Sequence, residues 1–174
     1  MKLPLLIFSF LFAAVCHGQA TATKALKSTN ADINNSIAVY SFEELEPLLT
    51  SDSNKTFLIN FWAMWCAPCV KELPILQAYE KEHPNVEVLL VSLDFPEDIE
   101  TKLKPFLKKK GITSKVIVLD APNANSWIDK IDPNWSGAIP FTIVFNAKNR
   151  AYYERAFEDV EDLKNEIKKT IKNK

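Results

Sequence analysis

The chain has 174 residues, 47% of them hydrophobic and 25% charged, a balance that excludes wholesale disorder and suits one globular domain with tails. Its formal net charge of −1 gives no electrostatic basis for binding nucleic acid. The basic clusters Lys108-Lys109-Lys110 and Lys168-Lys169 lie in segments that also carry Glu and Asp, the pattern of solvated helix faces.

In chain order, Lys2 precedes an almost unbroken apolar run from Leu3 to Val15, closed by His17-Gly18-Gln19. The run is too short to cross a bilayer comfortably, and with its flanks it predicts a secretory signal peptide over residues 1–18, cleaved after Gly18 or else near Ala20–Ala22. An uncleaved anchor and a lipoprotein modified at Cys16 are the alternatives; against the second, Val15 stands where lipid-modification sites carry a small residue. Export, to a periplasm, is therefore expected. Residues 19–36, rich in Thr, Ala, Asn, Ser and Lys, are expected to form a flexible linker, leaving residues 37–174 as the folded domain.

Order is predicted to begin with a strand at Ile37–Tyr40, then a helix from Phe42 capped by Ser41. Phe57–Trp62 reads as a central strand buried on both faces. It turns through Ala63-Met64-Trp65 into a helix reaching about Glu82, with Pro68 in its first turn and Pro74 inside, where a kink is expected. Val86–Val91 is the next strand, followed by one helix over Glu97–Lys110 stopped by Gly111. A strand at Val116–Leu119, a short helix at Asn125–Ile131, and a hairpin of Phe141–Phe145 with Ala151–Glu154 follow. An amphipathic helix from about Val160 closes the chain. Strands alternating with helices, then a hairpin and a helix, predict a three-layer α/β/α domain around a central mixed β-sheet.

Removal of the leader leaves two cysteines, Cys66 and Cys69, at a strand-to-helix junction. Cys66 falls at the helix N-terminus, where free N–H groups and the helix dipole favour a thiolate, the attacking species in disulfide exchange. Cys69, one turn on, is placed to resolve the mixed disulfide. Zinc would need about four ligands, and Cys66, Cys69 and His83 are too few. Haem attachment would need His where Val70 stands. A purely structural disulfide would close a very small loop and remove little chain entropy. A redox dithiol, needing no cofactor, is the reading that remains.

Asn60 to Cys69, continued by Val70-Lys71-Glu72-Leu73-Pro74, resembles the active-site strand and turn of thioredoxins, and within them the exported TlpA/ResA-type disulfide reductases. Gly137-Ala138-Ile139-Pro140-Phe141-Thr142 resembles the turn of that superfamily whose proline is cis. The resemblance spans roughly residues 37–172. It implies a thioredoxin-like fold, a cis Ile139–Pro140 bond packed against the cysteines, and a substrate groove at Trp65, Pro68, Ile139 and Pro140. Asn60 departs from ordinary thioredoxins, which carry a buried Asp there for proton transfer. In the TlpA/ResA-type proteins a Glu three residues after the second cysteine takes over, and Glu72 matches it. Glu72 is thus expected either to shuttle a proton to Cys69 or to be a solvated helix residue beside Lys71. Trp135 either lines the groove or packs on the core.

The expected activity is a protein-disulfide reductase cycling between Cys66/Cys69 dithiol and disulfide, with a membrane thiol carrier as electron donor and exported proteins bearing disulfides or thiols as substrates. A disulfide-forming oxidant is the alternative within enzymes. A Cu(I) metallochaperone using Cys66, Cys69 and Met64 is the alternative outside them. Nothing in the sequence demands more than a monomer.

Overall fold

The computed structural model describes residues 36–172. The expected signal peptide, and all but the last residue of the expected linker, lie outside them. Among the described residues, six strands form one mixed sheet: β1 (Ala38–Tyr40), β2 (Thr56–Trp62), β3 (Val86–Ser92), β4 (Lys115–Leu119), β5 (Phe141–Phe145) and β6 (Arg150–Tyr153), in the order β1-β4-β3-β2-β5-β6. The first four run parallel, and β5 joins β2 antiparallel before turning back into β6.

β2 lies inside this sheet because Leu58 through Trp62 is buried on alternating sides. Leu58 and Trp62 share one face with Val88, Leu90 and Val144, covered by α2 (Ala67–Glu82), α3 (Lys104–Lys110) and α5 (Val160–Lys172). Ile59 and Phe61 face the other way, with Leu89, Val91 and Ile143, under α1 (Phe42–Leu45) and α4 (Ile128–Ile131). Each fully buried Leu, Ile or Phe stabilises this arrangement by about 1.5–3 kcal/mol relative to exposure. The result is the α/β/α sandwich the alternating pattern predicts, with a thioredoxin-like sheet at its centre.

Ser41 caps α1 as expected, in a reciprocal box: its hydroxyl accepts from Glu44 N at 3.4 Å and Glu44 Oε2 accepts from Ser41 N at 2.9 Å. The helix from Phe42 is short, and two other helical expectations need correction. α1 lasts four residues before a 3₁₀ segment, Glu46–Leu49, that holds Pro47 in its first turn. The single helix expected over 97–110 is three pieces: a 3₁₀ turn at Pro96–Asp98, a π-helical turn at Ile99–Leu103, then α3. Pro105 accounts for the break, since it lacks an N–H and its ring crowds the carbonyl four residues back. Gly111 does end α3, in the left-handed conformation at φ 66°. The helix expected at 125–131 is interrupted at Trp127, whose buried ring stacks near Phe42 and Phe61 while its indole N–H donates to Ala121 O.

Candidate active site

β2 delivers the chain directly into the site. After Trp62 the backbone turns through Ala63-Met64-Trp65, and Cys66 becomes the N-cap of α2 with φ −89° and ψ 99°. Its sulfur accepts from Cys69 N at 3.3 Å, so it occupies the place where a helix N-terminus stabilises negative charge. Pro68 fits the first turn because no N–H is missed there. Cys66 and Cys69 are joined in a disulfide, with their Cα atoms 5.3 Å apart. Cys69 is fully buried and Cys66 retains 6% exposure, so solvent and partners reach the pair through Cys66.

Across from the disulfide stands the Ile139–Pro140 peptide, which is cis. The carbonyl of Ile139 lies 3.6 Å from Cys66 Sγ. It faces the same sulfur that accepts from the Cys69 N–H at the start of α2. Ile139 is half-buried and Pro140 buried, while Trp65 and Pro68 are exposed. Trp135 belongs to the core: it is 4% exposed and stacks on Phe141 with centroids 4.0 Å apart. Its indole N–H donates to Ala138 O at 2.8 Å, which anchors the turn leading to Ile139.

A second anchor for that turn is Glu154, just past β6. Its carboxylate accepts from the Ser136 hydroxyl, from Ser136 N at 3.3 Å and from Ala138 N at 3.2 Å. The Ser136 hydroxyl bond holds the Glu154 carboxyl below the usual carboxylate range. Between these residues Gly137 adopts φ 88°, where a side chain would be strained and its Cβ would come 3.1 Å from Ile128 Cδ1. On the opposite side of the site, buried Asp94 accepts from Met64 N through both oxygens, at 3.2 and 3.1 Å, and from the Ser92 hydroxyl at 2.8 Å. It pins the turn entering Cys66, and burial pushes its carboxyl up from the ordinary value.

Glu72 lies one helical turn beyond Cys69 and is not solvated: it has no exposed surface. Asn60 Nδ2 donates to its Oε1 at 2.6 Å and to Thr142 Oγ1 at 3.0 Å, and Phe157 N donates to its Oε2 at 2.8 Å. Three elements therefore converge on one carboxyl: β2, α2 and the segment leading into α5. Burial pushes its pKa up to about 7, against the pull of the Phe157 and Asn60 donors and of the Arg155 charge. Asn60 Oδ1 is buried without a hydrogen-bond partner, so the Asn60 amide has one acceptor in reserve beside Glu72. Outside this network an open groove of about 400 Å³ runs between Ala67, Pro68, Lys71 and Ile75 on α2 and residues 156–158.

Asp94, Glu154 and the Phe157 amide were not singled out by sequence reasoning. Asp94 carries a faint local signal, an acid two residues after a Ser at the end of an apolar strand. Glu154 and Phe157 carry none, because their partners are 16 to 85 residues away.

Comparison with known proteins places this geometry. A model of the AhpC/TSA family matches residues 43–153. Sporulation thiol-disulfide oxidoreductase A of Bacillus subtilis is 29% identical over 77 residues, which is 43% of this chain and 47% of that protein. Thiol-disulfide oxidoreductase ResA of Geobacillus thermodenitrificans is 30% identical over 80 residues, 44% of this chain and 43% of its own. The matched segment thus spans less than half the length of either curated relative. Among solved structures, a secreted thiol-disulfide isomerase of Corynebacterium glutamicum superposes with a TM-score of 0.55 and 25% identity, over 70% of this chain and 73% of that one. With the family match running from α1 to the end of β6, across both the cysteine pair and the cis-proline turn, the chain belongs to the AhpC/TSA family of thioredoxin-like proteins.

Proposed function

We propose that this chain is an exported thiol–disulfide oxidoreductase that reduces disulfides of exported proteins. The observation that carries the reading is the Cys66–Cys69 disulfide at the N-terminus of α2, with Cys66 Sγ facing the Ile139 carbonyl. Names of the similar proteins, thiol-disulfide oxidoreductases among them, support it.

The cycle balances in atoms and electrons. In the reduced form the Cys66 thiolate attacks one sulfur of a partner disulfide, forming a mixed disulfide and expelling one partner thiolate. Cys69 gives up its proton to the Glu72 carboxylate and attacks Cys66 Sγ, expelling the second partner thiolate. Two electrons have passed to the partner, and the chain is left as the Cys66–Cys69 disulfide. A membrane thiol carrier with a dithiol restores the reduced form by the same steps in reverse. Glu72 suits its role because a carboxyl titrating near 7 can both take and return a proton at neutral pH. The backbone of Ile139 offers an edge along which an extended partner segment can lie, with Trp65, Pro68 and Pro140 around it.

On this reading residues 1–18 direct export to the periplasm, residues 19–36 tether the domain, and it works as a monomer. Cysteine pairs of apocytochromes before haem attachment are one candidate substrate, and exported proteins in general are another. The deciding experiment is the reduction potential of the chain, followed by tryptophan fluorescence in thiol–disulfide buffers. A value near −270 mV supports a reductase, and a value near −120 mV reassigns the chain as an oxidant, both being typical of those classes at roughly these figures. Loss of any reversible two-electron couple overturns the enzyme reading and turns attention to Cu(I).

A further inference from the structure

Two large aromatic side chains stand in solvent on the segments that enter and brace the Cys66 turn. Trp65 is 69% exposed and Phe95 66%, the two highest values for large apolar residues in the described chain. The other two, Val39 and Tyr152, lie on the edge strands β1 and β6.

The sheet register brings Trp65 and Phe95 to one place. Trp62 on β2 pairs with Ser92 on β3, and each aromatic follows its paired residue by three positions. Beyond the strand ends the two segments stay laced together, Leu93 N donating to Trp62 O at 2.8 Å and Met64 N to Asp94 at 3.1 Å. Both aromatics thus leave adjoining strand ends, one immediately before Cys66 and the other immediately after the residue that pins the Cys66 turn. The backbone of Phe95 is also constrained on both sides. Asp94 before it is fixed by its hydrogen bonds, Pro96 follows it, and its own backbone is the extended φ −72°, ψ 140° that a residue before proline adopts.

A buried Phe or Trp removes 150–250 Å² from water by a typical figure of about that size, and here most of that apolar surface is unused. Two exposed aromatics on adjoining strand ends, one of them bonded in sequence to Cys66, suit a partner that arrives with an apolar side chain. The partner of Cys66 is a cysteine on another polypeptide, so the residues flanking that cysteine are the ones brought to Trp65 and Phe95. We infer that Trp65 and Phe95 form an apolar lip that receives a large apolar side chain next to the reacting cysteine of an extended polypeptide substrate. The inference rests on the dithiol reading above and adds a substrate preference to it. Phe95 is then a specificity-determining residue of the site.

The test uses the full chain and a pair of disulfide-bearing peptides that differ at one place, Leu or Ser next to the cysteine. The readout is the ratio of their kcat/KM values for reduction, in the wild type and in Phe95→Ser. The wild type is expected to favour the Leu peptide by about tenfold, equivalent to about 1.4 kcal/mol, and Phe95→Ser to bring the ratio close to one. Trp65→Ser should lower the ratio in the same direction. A wild-type ratio near one, or a tenfold ratio that Phe95→Ser leaves in place, overturns the lip. If the wild type self-associates and Phe95→Ser abolishes that without moving the ratio, the aromatics serve a second copy of the chain and the inference is wrong. Failure of the chain to show a reversible couple in thiol–disulfide buffers overturns the oxidoreductase reading and the lip with it, whereas a normal couple with a flat ratio overturns the lip alone.

Discussion

Replacing Glu72 by Gln removes a buried titratable group while keeping the shape of the side chain, and the structure fixes what should follow. The Glu72 pKa is raised from 4.5 to about 7, chiefly by burial. A carboxyl whose folded-state pKa is raised stabilises the fold fully below its unfolded pKa, and this contribution is lost as pH rises through the folded value. The window therefore runs from about pH 4.5 to about pH 7, and the loss across it is about 3 kcal/mol at 1.36 kcal/mol per pH unit. The substituted glutamine titrates nowhere, and it fits: Phe157 N can still donate to its oxygen, and a turned Asn60 amide can present the unpartnered Oδ1 to its nitrogen. The assay is urea unfolding of the oxidised wild type and Glu72→Gln at several pH values from about 4 to 8. The quantity of interest is the difference between the two curves, which cancels titrations they share. It should change by about 3 kcal/mol in favour of the variant as pH rises, a relative midpoint shift of roughly 1–3 M urea. A difference that stays flat, or that moves toward the wild type with rising pH, would refute the assignment of a proton-binding buried carboxyl.

Two further expectations concern the anchors of the site. Asp94→Asn turns an amide N–H₂ toward groups that are themselves donors, so it should cost about 1–3 kcal/mol of stability, read by thermal or urea unfolding of the oxidised chain. Unchanged stability would mean that the Met64 turn is held some other way. Glu154→Ala leaves Ser136 and Ala138 without their shared acceptor and loosens the approach to Ile139. Because the carboxylate is exposed, stability should move little, whereas the rate of exchange with a protein disulfide should fall about three- to tenfold. A large loss of stability with an unchanged rate would assign Glu154 to the fold rather than to the placement of Ile139.

The sequence carried the architecture where local and tertiary demands agree. Apolar runs such as Phe57–Trp62 can only be satisfied inside a sheet covered on both sides, and Ser41 with Glu44 writes its capping box within four residues. Cys66 and Cys69 were legible for the same reason, since a strand end, a helix start and their spacing lie in one short segment. The misread helices show the opposite case. Pro105 was compatible with a helical pattern, but its missing N–H forces the backbone before it into a π-helical turn. Trp127 was counted into a helix, yet its ring is drawn down between Phe42 and Phe61, and the backbone follows. Glu72 could be named from the family resemblance but not placed, because its burial depends on Phe157, 85 residues later. Glu154 was invisible for the same reason, and Asp94 nearly so: each acts on the backbone of a distant turn.

The carboxyl of Glu72 is held by donors from the second strand and from the approach to the last helix, so its altered acidity exists only once the chain's final segment has docked. Before that, Glu72 lacks the Phe157 donor and the covering segment that bury it. The altered acidity of Glu72 is therefore a late event in the folding of each molecule. A chain whose last segment has not yet docked carries the right atoms without the buried carboxyl, which exists only when β2, α2 and the segment leading into α5 have come together.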